Sequence, residues 1–157
     1  MAEFTLRANA PFDLEPLARL LHAPDDLARV NPNAKHPFDP LEWQEKWLNE
    51  PSDRSYFLID ESGREVGFFA LREGIGPEVR HLVYVFVEEA ARGGTGKLLA
   101  SLAEERAREL GAISITLKVE LDNKPALSVY EEAGFEELGR SNGMATMRKD
   151  WGPSLGV

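Results

Sequence analysis

Three glycines within four positions, Gly93, Gly94 and Gly96, separate an apolar run from a stretch of helical periodicity. The run before them, Leu82–Val87, has the composition of a buried strand, and the apolar residues after them recur at helical spacing. Glycine adopts strongly turned backbone conformations at little steric cost and lets other groups approach the backbone closely. The sequence therefore predicts a tight turn that leads from a strand into the N-terminus of a helix.

A turn of this kind suits a phosphate group, because the first N–H groups of a helix lack intrahelical partners and lie at the positive end of its dipole. Two nucleotide-binding motifs do not fit this turn. A P-loop needs glycine at position 91 and a hydroxyl at 98, where the chain has Ala91 and Leu98. A dinucleotide fingerprint that begins at Gly94 needs glycine at 99, where Leu99 stands. The predicted ligand is therefore a phosphate-bearing molecule of another class.

The composition is that of an ordinary globular domain. The length of 157 residues predicts a single domain, 1–157. The absence of cysteine excludes disulfides and thiolate metal sites, and three scattered histidines predict no metal. A net charge of −9 argues against a nucleic-acid-binding surface. We find no signal peptide, and no apolar run approaches the ~18 residues needed to span a bilayer. A cytoplasmic protein is the expectation.

Hydrophobic periodicity and turn residues predict the order β-α-α-β-β-β-α-β-α-β-β, which is an α/β fold. The first helix is expected after a cap at Asp13, and the second after a cap at Asp39. The segment 24–39 is predicted to be a loop, because it contains Asn31-Pro32-Asn33 and His36-Pro37. The predicted strands cover residues 4–7, 55–60, 66–72, 79–87, 113–120, 135–140 and 144–148. The aromatic residues assigned to the core are Trp43, Trp47, Phe68 and Phe69.

A second motif follows the predicted fifth strand. Its residues are Asn123, Ala126, Tyr130, Gly134 and Phe135. With the glycine turn, this pattern resembles the GNAT superfamily of acetyl-CoA-dependent N-acyltransferases, whose motifs are Arg/Gln-x-x-Gly-x-Gly/Ala and Asn-x-x-Ala-x-x-x-Tyr-x-x-x-Gly-Phe. The resemblance is specific from about His81 to Phe135 and topological before that. The chain departs from the first motif at Ala91, where Arg92 one residue later is the alternative basic group.

The resemblance implies a three-layer fold in which a central mixed, mostly antiparallel twisted sheet of about seven strands is flanked by about four helices. It implies that acetyl-CoA is the co-substrate, that no metal takes part, and that the acetyl group passes by direct attack to a primary amine of a small molecule. A protein N-terminal or lysine acetyltransferase and a non-catalytic acyl-CoA sensor are the alternatives. No nucleic-acid or membrane partner is implied, and the resemblance suggests a homodimer.

The resemblance also implies a set of binding residues. The coenzyme-binding residues are Val85, Phe86, Val87, Arg92, Gly93, Gly94, Thr95, Gly96, Lys97, Asn123 and Tyr130. The backbone of Val85–Val87 would pair with the pantetheine arm, where the fourth and fifth strands separate, and residues 92–97 would surround the pyrophosphate. Asn123 would contact the coenzyme, with a helix N-cap as the alternative or additional role.

The catalytic residues implied are Tyr130 and His81. Tyr130 would donate a proton to the departing thiolate, although a core tyrosine would occupy the same helix face. His81 is the candidate general base, because it lies in the predicted fourth strand and has an ordinary pKa of ~6.5. Glu78, a water molecule, and a purely structural role for His81 remain open. His36 is a candidate for lining the acceptor pocket.

Overall fold

The computed structural model describes residues 4–74, 76 and 78–151. Its seven strands form one sheet in the order β1-β2-β3-β4-β5-β7-β6. The strands are β1 (Thr5–Ala8), β2 (Arg54–Ile59), β3 (Glu65–Glu73), β4 (Val79–Val87), β5 (Ser114–Glu120), β6 (Glu136–Ser141) and β7 (Met144–Asp150). β4 and β5 are parallel, whereas β1 and β2, β5 and β7, and β6 and β7 are antiparallel. The predicted mixed sheet of seven strands is confirmed.

Within the described residues, five α-helices accompany the sheet. They are α1 (Glu15–Leu20), α2 (Pro24–Val30), α3 (Pro40–Glu42), α4 (Thr95–Glu109) and α5 (Lys124–Glu132). α3 continues into a π-helical turn, Trp43–Trp47, and a 3₁₀ turn, Glu89–Ala91, follows β4. The predicted cap of α3 is confirmed, since the side chain of Asp39 accepts a hydrogen bond from the Leu41 N–H at 3.1 Å.

The prediction of a loop over 24–39 is wrong in its first half, where α2 forms. Pro24 lies in the first turn, where proline is tolerated because that N–H has no intrahelical partner. Asp25 and Asp26 follow in the same turn and favour the positive end of the helix dipole. Leu27 is 1% exposed, so burial of a single leucine anchors this short helix. Asn31 is the C-cap of α2, so the predicted loop begins there.

The chain divides into two compact units. The first contains the described residues up to Ala70 together with Tyr84–Ala91, and the second contains Leu71–Val83 and the described residues from Arg92 onward. The first unit buries large aromatic and aliphatic side chains. Those that are almost completely covered include Leu17, Leu21, Leu27, Trp43, Phe57, Leu58, Phe68 and Phe69. The predicted core positions of Trp43, Phe68 and Phe69 are thus confirmed, whereas Trp47 is half-buried.

The second unit is built on a row of small side chains along α4. Ala100, Ala103 and Ala107 are at most 2% exposed and recur at helical spacing, so this helix face is closely packed. In β5 the apolar residues at alternating positions, Ile115, Leu117 and Val119, are buried. Ser114, a polar residue of the same strand, is also buried and donates to Asp150 Oδ1 at 2.6 Å. A hydrogen bond to the neighbouring β7 makes that burial possible.

Candidate active site

The glycine turn after β4 has the conformation that its sequence predicts. Gly93 and Gly94 have φ angles of +102° and +79°, in the left-handed region that residues with a Cβ rarely adopt. A Cβ at either position would meet no atom within 4 Å, so these glycines are required by backbone conformation and not by crowding within the protein. Gly94 is the N-cap of α4, and no side chain caps the helix there. The turn thus presents a helix N-terminus of the kind that binds phosphate.

The third glycine brings the two sequence motifs together. A Cβ built on Gly96 would lie 3.5 Å and 3.7 Å from the two methyl carbons of Val129, which is ordinary van der Waals contact. The first turn of α4 therefore packs against α5. Thr95 is buried, whereas Arg92 and Lys97 are exposed and place positive charge at this helix end. Residues of both motifs meet inside the second unit.

The residues that define the second motif have structural roles. Asn123 caps α5 through a hydrogen bond of 3.3 Å from the Ala126 N–H to its Oδ1, so the N-cap role is confirmed. Gly134 ends the helix with a φ of +98°, and Phe135 is buried immediately after it. Tyr130 is half-buried and packs edge-on against Phe135, with ring centroids 5.5 Å apart. Burial raises the pKa of Tyr130 to about 12, so its hydroxyl stays protonated at neutral pH.

Two charged residues outside both motifs support this region, and sequence reasoning missed them. Lys149 of β7 donates to the Ala133 carbonyl oxygen at 2.8 Å, at the C-terminus of α5, where a cation is favoured. Its Nζ also lies 2.5 Å from Glu104 Oε1 on α4. Burial alone would raise the pKa of Glu104, but hydrogen bonds from Lys149 and Arg108 outweigh it and lower that pKa. These side chains are separated along the chain, so no local pattern indicates the cluster.

A cleft of about 480 Å³ lies beside this cluster, with Gly94 and Lys97 on its wall. Glu104, Glu132 and Lys149 also line it. The cleft joins the glycine turn to the C-terminal end of α5 within the second unit. It is therefore a concave surface next to the predicted phosphate site.

His81 lies on β4 opposite Thr116 of β5, in the parallel pairing of the two strands. Its Nδ1 is 2.8 Å from Thr116 Oγ1, and the side chain is half-buried. Burial lowers the pKa of His81, and the positive charges of Lys118 and Arg72 lower it further. The imidazole is thus neutral at pH 7 and one of its two nitrogens is engaged. Glu78, the other candidate, is exposed, and its carbonyl oxygen accepts from the Ile113 N–H.

The predicted pantetheine-binding residues, Val85–Val87, belong to the first unit. The register between β4 and β5 joins Val79–Leu82 to Ser114–Leu117, so Val85–Val87 lie beyond these four pairs. Phe86 is buried, and a Cβ on Gly67 would approach its carbonyl oxygen to 3.0 Å, which explains the glycine there.

Tyr84, just before this stretch, is a non-glycine residue with a φ of +56°. Such a conformation is costly and is found preferentially at functional sites. The apolar run Leu82–Val87, which contains Tyr84, has no feature that predicts this conformation. His36 lies exposed in the loop between α2 and α3, and its role in acceptor binding stays a prediction.

Across residues 4–74, 76 and 78–151, no group of three or more His, Cys, Asp or Glu side chains is arranged to hold a metal ion. Within those same ranges, no helix is both long and apolar enough to cross a membrane.

With this geometry established, comparison with known proteins identifies the family. The model of the acetyltransferase (GNAT) family matches residues 18–135. This chain belongs to the GNAT family. The match includes the glycine turn and the Asn123–Phe135 motif, and it extends upstream into α1, where the sequence resemblance was only topological.

Individual relatives agree with this assignment. An uncharacterized N-acetyltransferase of Methanocaldococcus jannaschii is 32% identical over 113 residues, which are 68% of this chain and 50% of that protein. A mycothiol acetyltransferase of Jonesia denitrificans is 33% identical over 101 residues, which are 64% of this chain and 32% of that protein. The chain thus spans half or less of the length of these curated relatives.

A solved structure supports the fold independently of close sequence similarity. Spermidine N-acetyltransferase from Vibrio cholerae, in complex with CoA and spermine, superposes with a TM-score of 0.76 at 21% identity. The superposition covers 94% of this chain and 95% of that one. The two proteins share the GNAT fold.

Proposed function

We propose that this chain transfers the acetyl group of acetyl-CoA to the primary amine of a small molecule by direct attack. The proposal rests on family membership and on one observation in particular. The left-handed glycine turn opens α4 beside the α5 motif, where Gly96 faces Val129. We further propose that residues 1–157 form one catalytic domain, that it works in the cytoplasm, and that it forms a homodimer.

The residues around the glycine turn fit a pyrophosphate. The first N–H groups of α4 would donate to phosphate oxygens, and the exposed cations Arg92 and Lys97 would balance the negative charge. The backbone of Val85–Val87 would pair with the amide-bearing pantetheine arm as an added strand. When bound, the coenzyme supplies an acetyl thioester that an amine can attack. The N–H near Val87 would polarise the carbonyl of that thioester.

Tyr130 is proposed to donate its hydroxyl hydrogen to the sulfur as the carbon–sulfur bond breaks. Its pKa of about 12 ensures that the hydroxyl holds its proton at physiological pH. A free thiol has a pKa of about 8.5, so complete proton transfer from Tyr130 to sulfur is uphill. Tyr130 therefore gives up its proton only as the carbon–sulfur bond breaks, through a hydrogen bond that strengthens as negative charge develops on the sulfur.

His81 is proposed to remove the proton of the amine. Because its Nδ1 is bound to Thr116, proton acceptance falls to Nε2. This requires the tautomer in which Nδ1–H donates to Thr116 Oγ1. The lowered pKa keeps the imidazole neutral and so able to act as a base. If water takes this role instead, replacing His81 will leave turnover unchanged.

The test is thiol release from acetyl-CoA in the presence of small amines, peptides with a free N-terminus, and peptides with a lysine. Release with small amines supports the proposal, and release with peptides alone assigns the chain to protein acetylation. Saturable coenzyme binding without turnover with any amine indicates a sensor, which the departure at Ala91 would suit. Absence of coenzyme binding contradicts the proposal as a whole.

A further inference from the structure

Buried hydrogen-bond donors without a partner lie in the α2–α3 part of the first unit. The Nδ2 of Asn31 and the indole N–H groups of Trp43 and Trp47 are covered and have no hydrogen-bond partner. Asn31 is 4% exposed and Trp43 is 0% exposed. Buried polar groups in folded proteins are nearly always paired, so an unpaired donor calls for an explanation.

The three donors belong to one folded segment, residues 31–47. Asn31 ends α2, and both tryptophans lie in the π-helical turn that continues α3. Two contacts hold the intervening loop against α3 and the π-helical turn. The Lys35 N–H donates to Glu42 Oε1 at 2.9 Å, and the Phe38 ring stacks on Trp43 with centroids 5.2 Å apart. A π-helical turn within a helix is itself a frequent mark of a functional site.

This segment contacts the strand to which the proposed function assigns the coenzyme. The Trp43 ring lies edge-on to Tyr84, with centroids 5.0 Å apart. Tyr84 has the left-handed φ of +56° and directly precedes Val85–Val87. The 31–47 segment therefore packs on β4 next to the residues proposed to hold the thioester arm.

The unpaired atoms restrict what can bind them, because all three are N–H donors. The Oδ1 of Asn31 accepts from the Asn33 N–H at 3.2 Å, so the unpartnered group of this side chain is its N–H₂ donor. A polyamine carries ammonium groups, which are donors as well, and cannot satisfy them. A carboxylate or a similar oxyanion provides several acceptor lone pairs and bonds strongly to N–H groups. Lys46, whose Nζ lies 5.4 Å from the Trp47 ring centroid, adds a positive charge nearby.

We propose that the acceptor is an amino-acid-like amine, whose oxyanion is bound by the N–H groups of Asn31 and Trp43, with Trp47 as a third donor. The inference rests on the proposed acetyl transfer and names its acceptor class. Both principal donors are covered, so the acceptor reaches them when residues 32–38 move away from Trp43. Asn31 and Trp43 then select acceptors by their acid group.

The first test is nuclear magnetic resonance of the three indole N–H groups, because the chain has only three tryptophans. Trp151 already donates to the Ala112 carbonyl oxygen at 2.8 Å and serves as an internal reference. The standard amino acids and their decarboxylation products are added separately to ¹⁵N-labelled protein with coenzyme A present. At least one amino acid should shift the Trp43 resonance downfield saturably, and its decarboxylated amine should not. If no amino acid does so, the inference is overturned whether or not acetyl transfer occurs.

The second test replaces a donor with an acceptor. Asn31→Asp keeps the size and the oxygen that binds Asn33, but turns the buried N–H₂ into a carboxylate oxygen. For an amino-acid acceptor, kcat/KM should fall about ten- to a hundredfold, mainly through KM. The decarboxylated amine should lose less than about threefold. Asn33→Asp is the matched control, since it adds the same charge at an exposed position of the same loop and should preserve the preference.

The failures of the two proposals are distinguishable. Turnover that favours decarboxylated amines or polyamines supports acetyl transfer and overturns the acceptor class. If Asn31→Asp lowers kcat/KM equally for an amino acid and for its decarboxylated amine, Asn31 acts on folding alone. This result also overturns the acceptor class. Binding of an amino acid at Trp43 without any acetyl transfer supports the acceptor class and contradicts the proposed activity.

Discussion

Tyr130 carries the sharpest prediction among single residues. Tyr130→Phe should lower kcat about a hundredfold, because a positioned acid contributes about 10²–10⁴ to the rate. The affinity for acetyl-CoA should stay within about threefold, since the ring that packs on Phe135 is kept. Thiol release and calorimetric titration measure the two quantities. Tyr56→Phe on β2 is the control, and a Tyr130→Phe enzyme with normal kcat excludes the acid role.

The lowered pKa of His81 predicts how the free energy of unfolding depends on pH. Its pKa is lowered in the folded state, so between that value and about 6.5 the unfolded chain binds more protons. The contribution of neutral His81 to stability is complete above about pH 6.5 and is lost as the pH falls through the folded-state pKa.

Urea unfolding at pH 7.5 and 5.5 checks this sign. The free energy of unfolding should fall less on acidification in His81→Gln than in the unmodified chain. His22→Gln removes an exposed histidine and should leave the difference between the two pH values as it is. Equal acid sensitivity in His81→Gln and the unmodified chain contradicts the buried neutral imidazole.

At the scale of elements, the glycine turn contains two kinds of glycine. Gly94 has a left-handed backbone conformation, whereas Gly96 is helical. Gly94→Ala places a Cβ on a left-handed residue and should destabilise the fold by about 1–2 kcal/mol. Gly96→Ala should be neutral or stabilise by up to about 1 kcal/mol, because position 96 is helical and its Cβ would touch Val129 at an ordinary distance. Urea midpoints of the two variants measure the difference. Similar losses in both would mean that crowding, and not backbone conformation, selects these glycines.

The end of α5 depends on a residue from another element. Lys149→Met keeps an unbranched side chain beside Gly134 but removes the cation from the helix C-terminus and from Glu104. We expect a loss of about 1–2 kcal/mol in the free energy of unfolding. Arg140→Met, which breaks an exposed pair with Glu137, should cost clearly less. Equal losses would show that Lys149 acts only as a surface charge.

For the molecule as a whole, coenzyme binding should appear as thermal stabilisation. A ligand that binds only the folded state at about 100 times its Kd adds about 2.7 kcal/mol, which corresponds to a Tm increase of about 5–10 °C for a chain of this size. Differential scanning fluorimetry with acetyl-CoA measures the increase. NAD at the same concentration is the control, because the glycine spacing does not match a dinucleotide site. A Tm that acetyl-CoA does not raise contradicts the coenzyme site.

The amino-acid sequence by itself determined most of the elements and both motifs. Strand alternation in β5, the Asp39 cap and the glycine turn depend on a few neighbouring residues, and local preferences of that kind can be read along the chain. The same reasoning failed at α2, because a proline in a first turn and a proline that breaks a helix differ only in their surroundings.

Only the tertiary structure decided the properties that arise between distant residues. It inserted β7 between β5 and β6, placed Lys149 at the end of α5, and paired His81 with Thr116. It also showed the left-handed Tyr84 and the unpaired donors of Asn31 and Trp43. Burial, charge proximity and hydrogen-bond satisfaction depend on side chains that are far apart in sequence. The motifs therefore identify the family, whereas the packing of the 31–47 segment suggests the acceptor.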